Sequence, residues 1–274
     1  MTLLNSILQT LVNGLLAPFR QFPIGALVLI SIVTAVAMLL VFKKASNQTA
    51  LEAVKRRIHA CLFEIRLFND DLRAIFRAQF EILRTNLSYL RLQLVPLVFI
   101  LPPMILLLTQ LQPHYGYRGL HIGESVLVKV AVDDSLTGEG AAKPPVHLEV
   151  PAGLRLETPG VWIPARGELA WRVVAEQAGK YDLIVHLADE SFAKSVQVSE
   201  EFVSRSPLRA VPGFVDQLLF PAEKPLPKGA SVRAIELAYP EDPTFFFMPR
   251  WMWIFFVLTI VFAFALRKPM KVTI

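Results

Sequence analysis

Residues 49–111, TALEAVKRRIHACLFEIRLFNDDLRAIFRAQFEILRTNLSYLRLQLVPLVFILPPMILLLTQL, decide how this chain is organised. Apolar residues recur three and four apart at Leu51, Val54, Ile58, Cys61, Ile65, Phe68, Leu72 and Ile75. After a slip of about one residue, the same beat resumes at Phe76, Phe80, Leu83, Leu87, Leu90 and Leu94. That spacing predicts a coiled-coil seam. Asn69, Asp70 and Asp71 interrupt it and can cap a new helix. The pattern predicts two antiparallel helices, 49–68 and 71–93. From Leu94 the polar face vanishes, and 94–111 is apolar apart from Thr109 and Gln110. The second arm of a basic hairpin therefore runs straight into an apolar span.

Composition supports membrane segments. Of the 274 residues, 54% are hydrophobic, and the mean hydropathy of +0.47 exceeds that of an ordinary soluble domain. Residues 24–42 carry no charge and only Ser31 and Thr34 as polar side chains. Summed on an insertion scale they favour the bilayer by on the order of 5 kcal/mol. Lys43 and Lys44 follow at once, and Arg267, Lys268 and Lys271 follow a third apolar run. The positive-inside bias then puts both clusters in the cytosol, with the N-terminus outside and the C-terminus inside. Segment 43–93 has a net charge of +5, whereas 112–250 has a net charge of −4. The basic balance thus tracks topology, and no specific nucleic-acid sequence is implied as a partner.

Seven segments follow. Residues 1–22 form an amphipathic helix with an uncharged polar face, suited to the membrane interface. Residues 23–42 are the first transmembrane helix, 43–93 the cytosolic coiled-coil hairpin and 94–111 the second transmembrane helix. Residues 112–248 form an extracytoplasmic β-sandwich domain with a proline-rich loop at 204–228. Residues 249–267 are the third transmembrane helix, and 268–274 a cytosolic tail. Strands are predicted at 125–132, 146–150, 169–175, 181–188, 192–198 and 231–239, with hairpin corners at Gly179 and at Asp189 and Glu190. Their number and spacing suggest an immunoglobulin-like sandwich. In the proline-rich loop, Phe214, Val215, Leu218, Leu219 and Phe220 are expected on the outer membrane surface.

No catalytic constellation is visible. His59, His114, His121, His147 and His186 are scattered without metal-ligand spacing. Asp133 with Asp134, and Asp189 with Glu190, suit solvated turns. Cys61 is the only cysteine, so no intramolecular disulfide forms. An enzyme is not expected, nor a metal or other cofactor.

Two features carry alternatives. Pro96, Pro102 and Pro103 remove three backbone donors from the second span. They mark either a packing kink or a locally wet groove, whose polar groups would be Ser31, Thr34, Thr109, Gln110 and Thr259. None is ionisable, which disfavours an ion pathway. The cations Lys55, Arg56, Arg57, Arg66, Arg73, Arg77, Arg84 and Arg91 are either a solvated coil surface or a docking surface. Such a surface would take anionic lipid, a ribosome or a partner's acidic segment. Phe63, Phe68, Phe76 and Phe80 are assigned to seam packing.

This layout resembles the YidC/Oxa/Alb membrane insertase superfamily. The nearest branch is the three-span one, the archaeal YidC-like proteins and the insertase subunit of the ER membrane complex. The local match is 76–108, FRAQFEILRTNLSYLRLQLVPLVFILPPMILLL, similar to that branch's coil-to-span junction. The resemblance covers 1–111 and 250–274. It implies a non-enzymatic insertase or membrane chaperone of a prokaryotic inner membrane. Three spans would form a polar groove that carries short hydrophilic ends of client membrane proteins across. The coil would receive the client or the ribosome, and a partner membrane subunit would be a further contact. The spans here hold no basic residue, and a β-domain stands where that branch has a short connection. The bare topology also suits a structural protein that binds a partner through its outer domain.

Overall fold

The computed structural model describes residues 2–68, 70–133 and 143–272. Asn69 of the expected helix break and Asp134 of the expected acidic turn lie outside these residues, as does 273–274 of the expected tail. The chain divides into two compact units: Met1–Ala26 with Leu106–Trp253, and Leu27–Ile105 with Ile254–Ile274.

The first unit is mixed. Helix α1 (Thr2–Leu16) is followed by a 3-10 turn at Ala17–Phe19. Strands β1 (Ser125–Val132), β5 (Glu168–Ala175) and β9 (Val232–Leu237) form the middle of one antiparallel sheet. It is completed by β3 (Leu154–Leu156), β4 (Val161–Ile163) and β8 (Leu208–Ala210). A second sheet orders β2 (Val146–Glu149), β6 (Gly179–Leu187) and β7 (Glu190–Val198). Alternate residues of both sheets enter one buried cluster. Val128, Val130, Leu169 and Val173 come from the first sheet, and Leu183, Val185 and Val196 from the second. Period-two alternation thus selects the buried face of each strand, as in any sheet with one covered side.

Six predicted strands are found within two residues of their expected ends. Three short ones, β3, β4 and β8, were not expected, because three residues are too few to show alternation. The β6–β7 corner is Ala188 and Asp189, one residue earlier than expected, since Leu187 pairs with Glu190. Ala188 takes a positive φ of 52° to close it. The proline-rich segment is not a plain loop: it contains β8 and helix α5 (Phe214–Leu219). Its prolines flank these pieces and do not interrupt their hydrogen bonding.

A buried charge ties this segment to the β6–β7 hairpin. Lys194 is fully buried. Its ammonium donates to the Ser206 carbonyl at 2.7 Å and to the Glu223 carboxylate. The other Glu223 oxygen accepts the Ser195 amide at 3.1 Å. Burial pushes the Lys194 pKa down, and Glu223 opposes that shift.

In the second unit, α2 (Pro23–Ala45) and α4 (Leu72–Tyr115) contribute Leu27–Ala45 and Leu72–Ile105. Helix α3 (Gln48–Leu67) lies wholly in this unit, and α6 (Arg250–Leu266) contributes its part from Ile254. Asn47 caps α3 by accepting the Ala50 amide at 3.0 Å, and Asp71 accepts the Arg73 amide at 2.9 Å where α4 begins. Helix α4 runs 44 residues without a break through Pro96, Pro102 and Pro103. Two helices, α2 and α4, are long and apolar enough to cross a membrane; α6 is apolar but spans 17 residues. Lys43 at the end of α2 donates to the Met270 carbonyl at 3.0 Å.

The Lys194 ion pair predicts an asymmetry between two single variants. Glu223→Ala leaves an ammonium buried beside one carbonyl and should destabilise the β-sheet unit by about 3–5 kcal/mol. Lys194→Met should cost far less or stabilise, because it removes the desolvated charge itself. Hydrogen-exchange protection of the β7 amides in the full chain measures both.

Candidate functional site

The hairpin of α3 and α4 buries a different face of its second arm from the one its large apolar residues suggest. On α3 the expected seam holds: Leu51 and Cys61 are buried, and Val54, Ile58 and Ile65 half-buried. On α4 the beat continues from Ile75 without a slip. Ala78 and Thr85 are buried, and Ile82, Tyr89 and Leu92 half-buried. Arg57 pairs with Glu81, its Nε donating at 2.7 Å, and the Lys55 ammonium lies 5.8 Å from the Tyr89 ring centroid. These cross-arm contacts flank the same face.

The predicted seam of α4 is therefore corrected. Phe76, Phe80, Leu83, Leu87, Leu90 and Leu94 are 57–70% exposed. Phe63, Phe68 and Leu72 are exposed too, and the assignment of Phe63, Phe68, Phe76 and Phe80 to packing fails with them. The physical reason is the register. Residues 75, 78, 82, 85, 89 and 92 and residues 76, 80, 83, 87, 90 and 94 each keep a three-four beat, offset alternately by one and two residues, or about 150° around the helix on average. A helix with two such rows can bury only one against a single partner arm. Here the row of smaller and mixed residues meets α3, and the row of Phe and Leu stays outside.

The outer row has a charged border. Arg77, Arg84 and Arg91 stand seven residues apart and are all exposed. Gln79, Asn86 and Gln93 repeat at the same interval on its other side. Near the start of the span, the outer row joins the end of α2 in a cavity of about 890 Å³. Met38 and Phe42 line it from α2, and Leu87, Leu90, Leu94 and Leu97 line it from α4, with Arg84 and Arg91 at its polar edge. Its surface is mostly apolar.

The expected polar groove residues do not meet in this cavity. Ser31 is fully buried and donates to the Leu27 carbonyl of its own helix at 2.8 Å. Thr34, Pro96 and Thr259 are buried, and the Thr259 hydroxyl has no hydrogen-bond partner. Pro102 and Pro103 are exposed. Thr109 and Gln110 belong to the other unit. There Thr109 donates to the Leu106 carbonyl at 2.9 Å, and the Gln110 carbonyl oxygen accepts from Gln9 of α1 at 2.9 Å. Ser31 and Thr109 thus serve the backbone of their own helices and Gln110 meets Gln9, while none of the expected groove residues lines the α2–α4 cavity.

Of the eight cations, Arg84 and Arg91 reach the cavity, and Arg77 continues their row. Lys55 and Arg57 face Tyr89 and Glu81 instead. Arg56, Arg66 and Arg73 are exposed on the hairpin. Sequence reading passed over Met38 and Phe42, because apolar residues at the end of a span carry no signal beyond the span itself. The seven-residue repeat of Arg77, Arg84 and Arg91 was legible and would have fixed the outer row.

Among the described residues, no group of three or more His, Cys, Asp and Glu side chains gathers to hold a metal ion. No family model, curated protein or solved structure matches the chain.

The two-row reading predicts opposite responses on neighbouring positions. Ala78→Phe overpacks the buried row and should cost about 1–3 kcal/mol in local stability. Phe80→Gln, on the exposed row, should change it by less than about 0.5 kcal/mol. Hydrogen exchange of the α3 amides checks both; loss of protection in Phe80→Gln would restore the original seam.

Proposed function

We propose that the protein is an insertase-like membrane chaperone, built on three spans in a prokaryotic inner membrane with its N-terminus outside. Helices α2, α4 and α6 are the spans, and α6 at 17 residues sits at the short end of the workable range. Lys43, Lys44, Arg267, Lys268 and Lys271 hold the cytosolic ends. The domain of two β-sheets stays outside. Its likeness to an immunoglobulin fold extends to two antiparallel sheets sharing a core, with β1 central between β5 and β9.

One observation carries this reading: the exposed Phe and Leu row of α4 leads from the hairpin into an apolar cavity where the span begins. A client segment leaving water would bury its apolar face there at about 25 cal/mol per Å². It would advance along a surface that becomes lipid-facing without a polar interruption. Arg84 and Arg91 would hold acidic residues flanking that segment. Clients thus enter along an apolar track with a cationic edge, not through a groove of hydroxyls. Membrane lipid, client membrane proteins and a ribosome or partner subunit are the implied partners; the reading assigns no catalysis and no cofactor.

A second reading is a structural protein that binds a partner through its extracytoplasmic domain. It is favoured by two polar-lined cavities in the β-sheet unit. Photo-crosslinkers at Leu87 and Leu94 separate the two. The first reading expects adducts with ribosome-bound nascent membrane proteins from these sites, and none from Leu92 on the buried row. Equal yields from all three would remove the track. Under the second reading, replacing 112–240 with a short linker abolishes the phenotype while nascent-chain adducts are absent throughout.

A further inference from the structure

The second of those cavities holds about 400 Å³ and lies within the β-sheet unit. Five pieces of chain line it: the end of α1 with the turn behind it, the end of α4, the outward face of the β6–β7 hairpin, the segment before β8 and the stretch after α5. Among the polar groups that line it are Arg20, Lys180, His114, Ser195, Gln197 and Ser204. No carboxylate lines it among the described residues. Lys180 and Gln197 are register partners across β6 and β7, and Ser195 lies two residues along the same face. The hairpin thus sets one cation, one amide and one hydroxyl side by side on a rigid sheet.

Two features of this lining remain unexplained by the fold. The side chains of Arg20 and Lys180 are exposed and make no ion pair or hydrogen bond among the described residues, although Asp182 lies two residues from Lys180 on the same face of β6. His114 is 95% buried (5% exposed), and its Nδ1 has no hydrogen-bond partner. The Gln110 carbonyl one turn back acts on the ring without hydrogen-bond geometry. A buried polar atom without a partner is costly, and one that faces a polar cavity is satisfied when the cavity is filled.

We infer that this cavity binds the phosphoryl group of a phosphate ester. A tetrahedral oxyanion accepts several hydrogen bonds at once, and the site offers a guanidinium fork, a point-charge ammonium, two hydroxyls, an amide and an imidazole N–H. A carboxylate would leave most of these donors idle. The volume exceeds that of bare phosphate and suits a phosphorylated small molecule or a lipid headgroup. The cavity opens beside α1, whose outer face exposes Leu3, Ile7, Leu11 and Leu15. A phosphodiester at a membrane surface and a soluble phosphate ester therefore share the same recognition chemistry.

The test uses the full chain in an uncharged detergent, with inorganic phosphate and phosphatidylglycerol as the two probes, followed by calorimetry. Saturable binding is expected for the wild type. Arg20→Gln with Lys180→Gln should weaken it roughly tenfold or more, the effect of losing charge-assisted hydrogen bonds. Arg20→Lys with Lys180→Arg should retain most of it. Lipid binding that phosphate displaces assigns the headgroup as the source; phosphate binding that lipid leaves untouched assigns a soluble ester. Absence of saturable binding for both probes, or unchanged affinity in the double Gln variant, overturns the site. Hydrogen exchange of the β6 and β7 amides checks folding. Should the double variant unfold, Lys180→Gln alone decides by the same two outcomes. Neither outcome depends on the insertase reading, because the lining shares no residue with the α2–α4 cavity.

Discussion

Everything in the helical unit depends on which face of α4 the α3 arm covers. A two-helix hairpin has one interface, and α4 offers two apolar rows for it. The arms meet through Leu51, Cys61, Ala78 and Thr85, a mixture of one large and three small side chains. The Arg57–Glu81 pair then borders this interface and not the other. The pair is exposed and adds little energy by itself. Its value is directional: the opposite row is bordered by Arg77, Arg84 and Arg91 on one side and by the uncharged Gln79, Asn86 and Gln93 on the other.

Much of this architecture is legible in the sequence, for reasons that differ by element. Strands with four or more residues announce themselves because only one side meets the core, as Val126, Val128, Val130 and Val132 do. Apolar spans announce themselves by the missing charges of 24–42. The face of α4 does not, because hydrophobicity measures the wish to leave water and not the direction taken. Phe76 and Ile75 are equal candidates until α3 is docked. The polar groove fails for a related reason. Serine and threonine in a helix can bond the carbonyl one turn back, as Ser31 does with Leu27. A hydroxyl in an apolar run therefore need not mark a wet surface. Gln110 was noticed as polar, but its partner Gln9 is 101 residues away in sequence, and no local pattern announces such a pair.

Helix α1 shows how the same physics reads on the other unit. Its amphipathic pattern was plain, yet the two faces play the reverse of their usual parts in a water-soluble protein. Asn5 and Gln9 are buried against the unit, and Leu3, Leu4, Ile7, Leu11 and Leu15 are exposed. The polar face finds partners inside: Gln9 meets Gln110, and Asn5 donates to the Gln217 carbonyl of α5. In water this arrangement would leave five large aliphatic side chains uncovered, which a lone soluble unit seldom tolerates as one patch. Helix α5 adds Phe214, Val215 and Leu219, and the β10 (Thr244–Phe245) and β11 (Met248–Pro249) hairpin adds Phe245, Phe246 and Phe247.

On the proposed membrane reading, a bilayer interface would cover that face without any further protein. Aromatic residues such as Phe245 and Trp253 favour the headgroup level, and Trp253 donates to the Phe245 carbonyl at 2.8 Å, so the hairpin is fixed to the start of α6. If lipid covers the exposed face of α1, the polar face beneath it has to be satisfied by protein. The buried amides of Asn5 and Gln9 are that satisfaction. The proposed phosphate site follows from the same geometry: past the end of α1 and the turn behind it, the amide contacts stop and a polar cavity lined by Arg20 opens between helix and sheet. A cation placed there has water or an anion as its neighbour, and the sheet beneath presents Lys180 in place of a carboxylate. Two exposed positive charges facing one cavity are solvated by water while it is open, and an anion that entered would meet both.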